Sequence, residues 1–325
     1  MKSQNFVSVI ILTHNSINDI KNCIKGIEEL DYENLELIIV DNDSSDGTRQ
    51  FLTDLNFKNK LQTRIILNSS NLGYNLGNLS GIKISKGDFI AIINPDVTLE
   101  KSWLKNIMKS MEGNSKEIIV CGKILNSDET TQTTGGLLDI FGATSQRKNY
   151  DKDQKFFYHP GSAFVFRKSI LNKIDLDPNL FMYYEDVDLA WQTRLLGYDI
   201  AYCEDAQATH KIGQSLPGLP PSKFFNIAKN RIYVCAKNYS QTNKAKRIGK
   251  IIFLILGDSI YYSYKFKSLK YFYYFFKAIF WNIINLKKMK IEREKIQKLR
   301  VIPDKEIEKF MMTKSIEVEL LSTKK

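Results

Sequence analysis

The chain has 325 residues, 43% of them apolar, enough for one large α/β domain with an appendage and too apolar for a disordered chain. Its 17 glycines and 7 prolines exclude collagen-like and low-complexity chains. The net charge of +11 is concentrated: residues 241–325 hold 20 Lys+Arg against 8 Asp+Glu, a net of +12, leaving 27 against 28, a net of −1, in residues 1–240.

The amino terminus, MKSQNFVSVIILTHNS, does not read as a signal peptide, because its apolar run starts almost at once and ends in Thr13-His14-Asn15-Ser16. It reads as a buried strand over 6–13. Ile17, Ile20, Ile24, Ile27 and Leu30 predict a helix over 16–30 with Ser16 as its cap. A second strand falls at 35–41. The turn-forming DNDSSDGT then opens a helix near 48–55. A strand at 64–67, a helix around 75–85, a strand at 88–93, a helix at 100–112 and a strand at 118–121 follow. The strands are continuous apolar runs, which predicts a parallel sheet with helices on both faces. Ligands bind such sheets beyond the carboxyl ends of the strands. Three polar clusters fall there: Thr13-His14-Asn15, Asp41-Asn42-Asp43 and Asn94-Pro95-Asp96.

Residues 126–158 read as a long polar excursion. A strand at 161–167, a helix over 185–197 ending at Gly197, and a strand at 199–203 follow. The four cysteines, Cys23, Cys121, Cys203 and Cys235, have no metal spacing and read as reduced, mostly buried thiols. The N-x-S/T matches at Asn42, Asn68, Asn78 and Asn238 read as chance. Beyond about residue 220, lysines interrupt the apolar runs 251–257 and 269–284, which disfavours a spanning helix. Aromatic residues interleaved with lysines suit interfacial helices.

In this order and spacing, VSVIILTHNS, LELIIVDNDSSDGT, NLGYNLGNLSGI, GDFIAIINPDV, FMYYEDVDLAWQTRLLGY and HKIGQS resemble a family 2 inverting glycosyltransferase of the GT-A fold. The resemblance spans about residues 6–215 and is greatest to the rhamnosyltransferase-like branch. It implies a nucleotide-binding half (1–125) and an acceptor half (126–215), followed by a basic helical tail (216–325).

What the resemblance implies for individual residues is as follows. Asp41 accepts the imide N–H of uracil or thymine, in a pocket shared with Thr13, Asn15 and Asp43. Asn71, Gly73 and Asn78 lie near the ribose or phosphates. Asn94 and Asp96 occupy the place of the DxD metal motif, and His210 is a further ligand for Mg²⁺ or Mn²⁺. Asp186 is the general base, with Glu185 contacting the acceptor beside Gly161, Ser162 and Ala163. Asp188 supports the pair, and Trp191 reads as core. Taken singly, Asp41 also reads as a turn residue, Glu185-Asp186 as a helix start and His210 as a packing residue.

The donor implied is a UDP- or dTDP-sugar, with rhamnose as a first guess, and the acceptor a glycan or polyprenyl-linked intermediate. The basic tail implies a cytoplasmic protein peripheral to the inner face of the cell membrane. A nucleic-acid-binding protein is the weaker reading of the tail, since its lysines alternate with bulky apolar runs. A non-catalytic membrane subunit with a degenerate transferase body is the other alternative.

Overall fold

The computed structural model describes residues 5–55, 61–150, 155–211 and 219–318. The first half alternates β1 (Val7–Thr13), α1 (Ile20–Glu28), β2 (Leu35–Asp41), α2 (Thr48–Asp54), β3 (Gln62–Leu67), α3 (Gly73–Ile84), β4 (Phe89–Ile93), β5 (Val97–Leu99), α4 (Trp103–Glu112) and β6 (Glu117–Leu125). Then come β7 (Thr131–Thr133), β8 (Gly136–Leu138), β9 (Thr144–Gln146), β10 (Ala163–Arg167), α5 (Glu185–Leu195) and β11 (Asp199–His210). The rest is helical: α6 (Pro221–Asn238), α7 (Gln241–Lys265), α8 (Lys270–Ile284), α9 (Leu286–Leu299) and the short α10 (Asp304–Ile307).

Among the described residues the main sheet runs β3-β2-β1-β4-β10-β6-β11-β5, with β7 pairing β6 at one side. It is mixed: β10 is antiparallel to β4 and β6, and β5 is antiparallel to β11. The continuous apolar runs arise because both faces are covered. Ile10, Ile38, Val40, Ile90 and Ile92 belong to one core, while the alternating Val9, Ile11, Leu37, Ile39, Ala91 and Ile93 belong to the other.

Three local expectations differ. The first helix starts at Ile20, and Ser16 is not its cap. The Ser16 carbonyl accepts the amide hydrogens of Asp19 and Ile20, and its own N–H donates to Thr48 Oγ1, so residues 16–19 form a turn tied to α2. The last strand runs on to His210 because a bulge at 203–207 carries the exposed Glu204 and Asp205, which look like a strand end in sequence. Gly122 permits this bulge, since a Cβ there would lie 2.1 Å from the Ala206 carbonyl oxygen. The excursion at 126–158 holds three short strands and a buried polar cluster: Arg147 donates to the Thr134 carbonyl at 2.6 Å, and Asp139 accepts from the amides of Phe141 and Ala143. Residues 151–154 of it, the end of HKIGQS and the boundary expected at 215/216 lie outside the described residues.

Helix α6 lies against α5, α7, α8 and α9. Among the described residues no helix is long and apolar enough to cross a membrane.

Candidate active site

The sheet directions bring the polar clusters to one edge. Thr13 and Asp41 are register partners at the ends of β1 and β2, and Ala163, at the start of antiparallel β10, pairs Ile93 at the end of β4. β6 and β11 point the same way, so His210 ends at this edge too, paired with Val97 beside Asp96.

The loops after β1 and β2 are tied together. Asn15 and Asp43 both have left-handed backbones (φ +53° and +66°), which Asn and Asp tolerate. The Asn15 side-chain oxygen accepts from the Ser45 amide at 2.8 Å. Asp41 Oδ2 accepts from Arg49 Nε at 2.9 Å and the Ser44 amide at 3.2 Å. Its Oδ1, like Thr13 Oγ1, is buried without a hydrogen-bond partner. A buried free acceptor lobe is what an imide N–H needs.

Asn71 accepts from Asn42 Nδ2 and from the Gly73 amide, both at 2.9 Å, and so shapes the entry to α3. Gly73 is required there: its φ is +78°, and a Cβ would come within 2.6 Å of Phe181. Asn78 lies apart from this loop, fully buried on α3.

Asp96 and His210 face each other, Oδ2 to Nε2 at 3.2 Å. Gln132, in β7, explains the geometry. Its Nε2 donates to Asn126 Oδ1 at 3.0 Å, which turns its Oε1 toward His210 Nδ1 at 2.8 Å. Nδ1 therefore donates, and the ring is oriented with Nε2 toward the Asp96 carboxylate. A carboxylate oxygen and an imidazole nitrogen facing each other are a donor set that fits a hard divalent cation. Among the described residues no set of three His, Cys, Asp or Glu clusters as ligands. Asn94 is held by its backbone: its amide donates to the Ser162 carbonyl at 2.8 Å.

Glu185 and Asp186 open α5 after two consecutive left-handed residues, Tyr183 and Tyr184, each with φ +70°. Such a turn is costly and persists only when held. Asn230 of α6 holds it, donating to the carbonyls of Met182 (2.9 Å) and Tyr183 (2.7 Å). Asp186 Oδ1 accepts from the Val187 amide at 2.8 Å, and the Gly161 backbone lies against its Oδ2. Tyr74 from α3 donates to the Gly161 carbonyl at 2.6 Å, and Gly161 runs on into the buried Ser162 and Ala163.

Glu185 Oε2, Asn78 Oδ1 and both ring nitrogens of His159 are buried without partners and border one small pocket. Burial pushes the Glu185 carboxyl up to about 8, with the Asp186 charge adding to it. Burial also raises Asp186, to about 6, opposed by the Val187 and Gly161 amides. Burial thus lifts both carboxyls above the ordinary carboxylate range, and they titrate as a coupled pair. Burial keeps His159 neutral, its imidazole lowered to about 3.

Asp188 points away into a buried ion cluster, with Lys237 Nζ at 2.6 Å, and Trp191 is fully buried. The four cysteines are free, and all but Cys203 are buried. The sequence reading missed Gln132, Arg49, His159, Asn230 and Lys237. Arg49, just after a turn-rich loop, and His159, two residues before Gly161, stand near motifs that could have flagged them.

The sheet order and the polar edge define a GT-A architecture. The model of glycosyl transferase family 2 matches residues 8–174, and the chain belongs to that family. Among relatives, it is 26% identical over 217 residues to the low-salt glycan biosynthesis hexosyltransferase Agl10 of Haloferax volcanii, covering 63% of this chain and 66% of Agl10. It is 29% identical over 171 residues to the GalNAc(5)-diNAcBac-PP-undecaprenol beta-1,3-glucosyltransferase of Campylobacter jejuni, covering 51% of this chain and 52% of that one. In structure it resembles S. aureus TarS 1-349 in complex with UDP-GlcNAc (TM-score 0.57, 17% identity, 84% of this chain and 79% of TarS). It also resembles the mannosyltransferase PcManGT of Pyrobaculum calidifontis in complex with GDP-Man and Mn²⁺ (TM-score 0.55, 13% identity, 91% and 87%).

Proposed function

We propose that the protein is an inverting glycosyltransferase that moves a sugar from a UDP- or dTDP-sugar to a glycan or lipid-linked acceptor, with Asp186 as the general base. The observation that carries this reading is the acid pair. Two adjacent carboxyls, both raised by burial, open α5, and Asp186 is held by the Val187 amide at the strand edge that also bears Asp96 and His210.

Asp186 takes the proton of the acceptor hydroxyl as its oxygen bonds to the anomeric carbon. The bond from that carbon to the diphosphate breaks on the opposite side, so the configuration inverts. Asp41 and Thr13 hold the base through their free acceptor atoms. Asp96 and His210 would hold Mg²⁺ or Mn²⁺, which when bound offsets the charge of the leaving diphosphate. The Campylobacter relative, whose name describes a lipid-linked acceptor, and the TarS complex with UDP-GlcNAc support the acceptor and donor classes. Rhamnose is the first sugar to test, from the resemblance to the rhamnosyltransferase-like branch.

The reading includes a place in the cell: cytoplasmic, on the inner face of the membrane. Helices α7 and α8 and the turn between them expose Phe253 (71%), Tyr264 (87%), Leu269 (81%) and Phe280 (63%) among lysines, a pattern suited to an anionic bilayer surface. The test is a screen of UDP- and dTDP-sugars with Mn²⁺ or Mg²⁺, reading nucleotide release and product mass. Release from one donor, dependent on acceptor, is expected; no release from any donor overturns the reading.

A further inference from the structure

Tyr184, the residue before the acid pair, also walls a separate cavity of about 230 Å³, where the start of α5 meets α6, α7 and the segment around Glu317. One side is apolar and aromatic, formed by Phe224, Tyr262 and Ile255. The other is charged. Arg231, 3% exposed, donates through Nε to the Phe141 carbonyl at 2.9 Å and pairs with Glu317 through Nη1, while its Nη2 is buried without a partner. Asp258 Oδ2 stands 3.7 Å from Nη1, outside hydrogen-bond range.

A buried guanidinium N–H with no acceptor carries a full desolvation cost that a ligand oxygen would relieve. One cation faces Asp258, Glu317 and the nearby Asp139, so the local charge disfavours an anion such as a phosphate. An apolar wall opposite a donor and carboxylate acceptors suits a ring with a C–H face and an edge of hydroxyls. The volume is too small for a nucleotide sugar.

We propose that this cavity binds one neutral sugar ring of the acceptor glycan, with Arg231, Asp258 and Glu317 on its hydroxyls and Phe224 and Tyr262 against its face. The acceptor role rests on the glycosyl-transfer reading; sugar binding itself does not.

The test is saturation-transfer NMR on the full chain with methyl glucoside, methyl mannoside and N-acetylglucosamine as probes. The ring protons of at least one sugar should receive saturation. The signal should fall by about fivefold or more in Arg231→Gln and in Asp258→Leu, since each removes a hydrogen-bonding group. Arg231→Gln frees Glu317 and can unfold the chain, whereas Asp258→Leu keeps the Arg231–Glu317 pair. No signal from any of the three sugars, or a signal unchanged in a folded Asp258→Leu, overturns the proposal. Sugar binding without nucleotide release from any donor would count against the transfer reading alone.

Discussion

Lys237 places its ammonium 2.6 Å from Asp188 Oδ2, with both side chains only 2% exposed. The same nitrogen lies 2.7 Å from Asp177 Oδ2, and Asn238 donates to Asp188 Oδ1 at 2.8 Å. Asp188 sits two residues after Asp186, so this cluster keys α6 into the helix that carries the acid pair. Lys237→Met should destabilise the protein by about 3–5 kcal/mol, because it leaves two buried carboxylates without their cation. Urea unfolding measures this; a loss below about 1 kcal/mol, as for an exposed pair, would show that the cluster is not closed in solution.

Gln132 should set metal affinity without touching the metal. Gln132→Leu removes the acceptor that fixes His210 Nδ1 as donor. Mn²⁺ affinity, titrated calorimetrically with UDP present, should weaken by about 10–100-fold. His210→Ala should weaken it at least as much. Equal affinity in wild type and both variants would remove His210 from the ligand set.

The acid pair gives opposite pH signs for activity and stability. On the proposed mechanism Asp186 acts ionised, so turnover should fall as pH drops below about 6. For stability, the folded pair binds its protons more tightly than the unfolded chain, because burial raises both carboxyls. Stability from this pair is therefore present at low pH and is lost as pH rises from ordinary carboxyl values through about 8. Glu185→Gln should raise the melting temperature more at pH 9, above that window, than at pH 5, near its lower end. A gain that grows toward acid pH would contradict this.

The proposed membrane attachment should depend on exposed apolar side chains as well as charge. Tyr264→Glu with Leu269→Glu changes two residues that are 87% and 81% exposed and so should leave the fold intact. The pair should abolish flotation with phosphatidylglycerol vesicles, and added salt should weaken wild-type binding. Flotation unchanged by both would place the contact elsewhere or remove it.

The sheet was legible because helices cover both its faces, so Val7–Thr13, Leu35–Asp41 and Phe89–Ile93 read as unbroken apolar runs. Asp41, Asp96 and Asp186 stood out as candidates because they lie at the end of a strand, in the turn after a strand and at a helix start. Gln132 was not, because its meaning comes from a ring 78 residues away. Lys237 and Arg231 fall in the segment expected as a basic helical tail, yet each is buried by carboxylates from distant segments. A cation in sequence reads as solvated until its counter-charges are placed. Asn230 gave no signal for the same reason: it serves the Tyr183 turn from 47 residues away.

The most direct measurement is turnover of Asp186→Asn beside Glu185→Gln at saturating donor and acceptor. Asp186→Asn should lower kcat by about a thousandfold, because the acceptor hydroxyl loses its proton acceptor, while Glu185→Gln should cost about tenfold. A folded Asp186→Asn variant that keeps near wild-type kcat would contradict a single displacement driven by Asp186.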